Sequence, residues 1–163
     1  MAAADFFLKL DGVKGESLDA AHPGEIELAS FSWGESNTTS IGSATSGAGS
    51  GKVKFDALVF TTRVSSASPQ LSLLCASGQP IPTAVLTVRK AGGKQEEYYK
   101  VTFKTVFLTQ YRSVGAESTD VIPRDEVSCV FGEFSIEYRG QQKDGTLGTA
   151  ILNGWNQIMN KKV

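Results

Sequence analysis

Four times along this chain an apolar alternation of period two breaks and resumes one position out of phase. Ile26 and Leu28 give way to Phe31 and Trp33, and Val53 and Phe55 to Leu58 and Phe60. Tyr99, Val101 and Phe103 give way to Val106 and Leu108, and Val127, Cys129 and Phe131 to Phe134, Ile136 and Tyr138. Successive side chains of a strand point to opposite faces, so one extra residue sends the later half to the wrong side unless a bulge compensates. Long strands that bulge and bend in this way suit a small closed barrel or two tightly packed sheets. The pattern alone leaves open a second reading, in which each long strand is two short ones.

The punctuation between these runs fits antiparallel connections. Phe6, Leu8 and Leu10 alternate and then meet Asp11 and Gly12, a turn pair. Ala91, Gly92, Gly93 and Lys94 separate "TAVLTVR" from "EEYYKVTF", and Lys143, Asp144, Gly145 and Thr146 form a second tight-turn signal. One segment reads as helix. Ser68 suits the N-cap, Pro69 the first helical position and Gly78 the position just past the end, with Leu71, Leu74 and Cys75 at helical spacing between them. The expected fold is mainly β: a small antiparallel β-barrel of two packed sheets, with one short flanking helix over about Ser68–Ser77. The 163 residues fit a single domain, and no repeat or composition break divides them.

A catalytic reading starts from "GSATSGAGSGKVKF", residues 42–55, whose Gly51 and Lys52 raise the idea of a phosphate loop. The spacing excludes it. Position 46 is Ser46 where a glycine is needed, and Val53 follows Lys52 where a Ser or Thr would hold magnesium. A strand pattern follows too, whereas phosphate loops need a helix N-terminus there. The only histidine, His22, lies in the Pro/Gly-containing stretch "DAAHPGE" without ligand spacing, and reads as a surface-loop residue. Cys75 and Cys129 sit inside apolar patterns, not in a paired motif, and read as two buried free thiols in a reducing compartment. The acidic pairs Glu96-Glu97 and Asp125-Glu126 fall at strand starts or turns and read as solvated charges. Phe55, Phe103 and Phe131 read as core rather than as a stacking platform for nucleic acid. A net charge of −1 supplies no pull toward nucleic acid or anionic lipid, and no apolar run approaches the roughly twenty residues of a membrane span. No enzyme is expected, and no metal or cofactor.

Taken in order, the segments resemble a known family. "FFLKLDGVKGES", "SFSWGES", "GSGKVKFDALVFTT", "SPQLSLLCASG", "LTVRKAGGKQEEYYKVTF", "FSIEYRGQQKDGTLG" and "GWNQIMNKK" together resemble the Hcp proteins, the hemolysin-coregulated proteins of bacterial type VI secretion systems. The resemblance runs over nearly all of the chain. It implies a structural subunit rather than a catalyst: a β-barrel that forms hexameric rings, stacked into an inner tube inside a contractile sheath with a spike protein at the tip. It further implies cytoplasmic protein before firing, secretion without a signal peptide, and small effector proteins carried in the lumen. Some relatives carry a toxin domain after the barrel; ending at Val163, this chain is expected to be a plain tube subunit of one domain, 1–163.

The resemblance also assigns a role to the sixteen uncharged residues 36–51. In this family the corresponding loop makes contacts between subunits and between stacked rings. That implies contact roles for Ser36, Thr38, Ser40, Ile41, Gly42, Gly47, Ala48, Gly49 and Gly51. Glycine gives such a loop backbone freedom, and the lack of charge lets like loops pack side by side. The rival reading is a monomeric β-barrel that binds a small ligand in its interior; it predicts a cavity where the apolar pattern predicts a filled barrel. Either strand face is compatible with a channel lining.

Overall fold

The computed structural model describes residues 3–39, 52–92, 94–117 and 122–163. Among them, the strands are β1 (Ala4–Leu10), β2 (Ile26–Asn37), β3 (Val53–Arg63), β4 (Ile81–Lys90), β5 (Glu97–Val114), β6 (Arg124–Tyr138), β7 (Ile151–Asn156) and β8 (Lys161–Lys162). One helix, α1 (Ser68–Ser77), packs against β5. Every pairing is antiparallel. The order β3-β2-β1-β4-β5-β6 closes on itself through a β3–β6 pairing, so six strands make a ring, and β7 and β8 continue from β6. Closure removes the open edges that an antiparallel sheet otherwise exposes.

Each phase change falls inside one continuous strand, which decides for bulged long strands over pairs of short ones. On β2, Leu28 faces Thr62 and Ser30 faces Thr61, so Ala29 is the extra residue. On β3 the compensation comes where Ser32 faces Val59 and Gly34 faces Asp56, leaving β3 one residue longer. The changes on β5 and β6 cancel differently. Lys104 faces Glu133 and Val106 faces Phe131, so both strands switch faces at the same rung and the register is kept. Thr105 sits at that rung with φ +56°, a left-handed conformation rare for a β-branched residue. Lys104 and Thr105 are consecutive exposed residues between buried Phe103 and Val106, the local signature of the switch.

The interior is filled. Phe60, Phe103, Leu8, Leu58, Leu86 and Val127 are each under 2% exposed. Around them, Trp33 stands edge-on to Phe103 at 5.5 Å and lies 5.0 Å from Phe134, and Phe55 stacks on Phe131 at 5.1 Å. A barrel packed in this way leaves its centre to side chains, not to a ligand.

The helix has the expected bounds but not the expected cap. The N-cap position is Ala67, which has helical backbone angles and no side-chain cap bond. Ser68 instead directs its hydroxyl inward to donate to buried Asp125, while accepting the Ser65 N–H at 2.9 Å. A buried carboxylate outcompetes a solvent-accessible helix end for that hydroxyl. At the other end Gly78 takes the left-handed conformation, φ +67°, and its N–H donates to Leu74 O at 3.1 Å.

Candidate functional site

Two clusters of buried polar side chains are built into the barrel. On the helix side, Asp125 has no exposed surface; Tyr111 donates to Oδ1 at 2.8 Å and Ser68 to Oδ2. Burial, and then the Asp125 carboxylate, push the Tyr111 phenol above its usual range. The reading of Asp125 as a solvated strand-start charge is therefore overturned, because helix α1 and Tyr111 cover it. Its neighbour Glu126 does face solvent, 3.6 Å from Arg112. Deep beside the helix, burial followed by the nearby Cys75 thiol pushes the Cys129 thiol up to about 12. Both cysteines are free thiols, Cys129 buried and Cys75 half-buried.

A second cluster lies where residues 11–25 return across the barrel. Arg89 is only 3% exposed and holds Asp19 through both guanidinium nitrogens, at 2.9 and 2.6 Å, and Asp5 at 3.1 Å. Its hydrogen bonds hold the Asp19 carboxyl down at about 2. Arg89 also stands over the Phe7 ring, 4.7 Å from the centroid. His22 stacks on that same ring at 4.3 Å, with Nδ1 2.7 Å from Glu25 and Nε2 2.7 Å from Glu97. At 6% exposure it is not a surface-loop histidine. Its nearest carboxylates come from three and seventy-five residues away, and only the first separation is visible as local sequence. Among the described residues no group of three His, Cys, Asp or Glu side chains is arranged to hold a metal ion, and no helix is long and apolar enough to cross a membrane.

The outer surface carries more. From Gly34 to Asn37, β2 pairs with β3 over Val53 to Asp56, whereas β3 joins β6 only from Leu58 onward. Beyond the β3–β6 pairing the hairpin end stays two-stranded, with Phe55 of β3 packed on Phe131 and Phe134 of β6. Ser36 lies on it, opposite Lys54, and Thr38 follows; both are exposed. The other expected contact residues, Ser40, Ile41, Gly42, Gly47, Ala48, Gly49 and Gly51, lie outside the described residues. Sequence reading did not single out the apolar surface elsewhere. Ile151, Leu152, Ile158 and Met159 are 57–74% exposed around β7 and the turn after it. Beside them a groove of about 420 Å³ runs between Phe55, Thr105, Phe107, Val130 and Ile158. The available signal was "AILNGWNQIM" itself, too polar at its centre to alternate cleanly.

The chain is thus a closed, filled barrel with apolar surface exposed around β7. The family described as "Type VI secretion system effector, Hcp" matches residues 7–138. This chain belongs to the Hcp family. It is 37% identical over 160 residues to the protein hcp1 of Pseudomonas aeruginosa, covering 97% of this chain and 98% of that one. Hcp1 from Salmonella typhimurium superposes with a TM-score of 0.81 at 34% identity, all of both chains being covered. A solved type six secretion system protein superposes at 0.92 with 32% identity, over 99% of this chain and all of the other. The family match takes in β2 to β6 and the helix, and the whole-chain superpositions extend the likeness over β7.

Proposed function

We propose that this Hcp chain is the structural subunit of a type VI secretion inner tube. Six copies close into a ring, rings stack into a tube, and sheath contraction expels the tube with its spike. The protein is cytoplasmic before firing and outside the cell afterwards. It carries small effector proteins in the lumen and catalyses no reaction. The observation that carries this reading is the match to Hcp proteins along essentially the whole barrel. The surface supports it. Exposed apolar side chains such as Ile151, Leu152, Ile158 and Met159 are of the kind that become buried between copies. The end of the β2–β3 hairpin, where Ser36 and Thr38 are exposed, is the second surface assigned here to contact between copies. Ser40, Ile41, Gly42, Gly47, Ala48, Gly49 and Gly51 extend the same contact.

Identical head-to-tail contacts close a ring when the rotation between copies divides a full turn. The test is native mass together with electron micrographs of the purified protein at micromolar concentration. Annular particles with the mass of six chains are expected. A protein that stays monomeric across that range overturns the reading.

A further inference from the structure

We propose that His22 is a proton-operated latch that fastens the β1–β2 connection to β5. Its ring is pinned flat on Phe7, with an interplanar angle of 9°, and each nitrogen lies 2.7 Å from a carboxylate oxygen. An ionised carboxylate only accepts hydrogen bonds, and a neutral imidazole has a single N–H to give. Both contacts therefore need the second ring proton: the arrangement is that of the imidazolium. Remove that proton, and one nitrogen lone pair faces carboxylate oxygen at hydrogen-bond distance. That contact must open.

The two contacts are unequal, which decides the one that opens. The Glu25 side chain is 11% exposed, and its backbone is tied down by the Ser17 N–H donating to Glu25 O at 3.1 Å. The Glu97 side chain is 33% exposed and has a second partner, Lys100 Nζ at 3.4 Å. Glu97 can swing toward water and Lys100, whereas Glu25 has nowhere to go. The neutral ring keeps Nδ1–H on Glu25 and lets Glu97 leave. The surrounding charges do not substitute. Asp19, on the same connection, accepts the His22 backbone N–H at 3.2 Å but is committed to Arg89 of β4, which also binds Asp5 of β1. The latch is therefore closed while the ring carries both protons and open once it has lost one.

The experiment uses the full-length protein labelled with ¹⁵N. Ring nitrogens of His22 and backbone amide exchange at the start of β5 are followed from about pH 5 to about pH 8.5. Two protonated nitrogens are expected at the acid end and Nδ1–H alone at the alkaline end. Exchange at Glu97–Tyr99, corrected for its intrinsic pH dependence, should rise about tenfold in between. Two variants separate the latch from general loosening. Glu97→Gln offers both an acceptor and a donor, so it holds either form of the ring; its protection should be high and flat with pH. Glu97→Ala should be flat and low. A ring with one proton throughout, a proton on Nε2 at the alkaline end, or a pH response that persists in Glu97→Gln overturns the proposal.

Discussion

Asp125 and Tyr111 sit fourteen residues apart on neighbouring strands, and Ser68 comes from the helix fifty-seven residues away. Together they satisfy a carboxylate that has no access to water. Removing the acceptor would leave two donors facing a dry pocket, so Asp125→Ala should lower unfolding free energy by about 3 kcal/mol, read by urea titration. Asp125→Asn, which keeps one acceptor oxygen, should cost less. Asp19 makes a different prediction, about pH. Its folded value of about 2 lies below its ordinary 3.8, so its contribution is complete above 3.8, declines as the pH falls, and is gone below about 2. The stability gap between the protein and Asp19→Asn should therefore be constant above about pH 4 and narrow in that acid window. Thiol chemistry supplies a third. With Cys129 buried and its thiol at about 12, alkylation of native protein at neutral pH should modify Cys75 alone, Cys129 reacting only after unfolding. Mass mapping of the labelled cysteines checks it. The burial of Cys129 was legible from the apolar pattern around it, whereas that of Asp125, His22 and Arg89 was not, because the groups that cover them come from distant segments. A loop histidine beside a proline and a carboxylate at a strand start look solvated until the chain folds over them.

At the scale of elements the sequence was far more informative. The phase changes on β2 and β3 marked real bulges and those on β5 and β6 a paired switch of faces with the register kept, since only a strand half-buried on alternate faces shows such a slip as a change of parity. They located Ala29 on β2 and the facing switch of β5 and β6 at Thr105 and Gly132. The helix ends were readable from Pro69 and Gly78, whose backbone requirements are local; the cap was not, because Ser68 answers to Asp125. β7 went unread, since its first three residues are exposed and burial begins at Gly154. That glycine explains how β7 lies so close on β6. A Cβ there would sit 2.4 Å from Phe134 O and 3.0 Å from Ser135 Cα, both main-chain atoms that cannot move without opening the ladder. Gly154→Ala should destabilise the protein by about 1–3 kcal/mol, with the loss of protection concentrated on the β6–β7 pairing in hydrogen exchange.

For the whole molecule, closure of β3 onto β6 makes the barrel complete without residues 42–50, which lie outside the described residues. Folding and assembly therefore become separable in an experiment. Loop length enters folding only logarithmically, at about 0.6 kcal/mol per doubling, so a chain lacking residues 42–50 should fold with the same circular dichroism spectrum and a similar urea midpoint. Assembly should respond far more steeply. A contact made once per subunit is repeated at every position around a ring, and weakening each copy multiplies the loss between stacked rings. Ala48→Glu tests the proposed contact without changing the length of the segment, because it would bring like charges together at each repeat of the proposed ring. Both variants should give folded barrels that fail to build tubes and are no longer released when the sheath contracts. Ring mass, tube length in micrographs and secreted protein are measured separately for each. A folded deletion variant secreted at the normal level would mean that residues 42–50 take no part in joining rings, and that the contacts lie instead with the hairpin end at Ser36 and Thr38 and the apolar surface around β7.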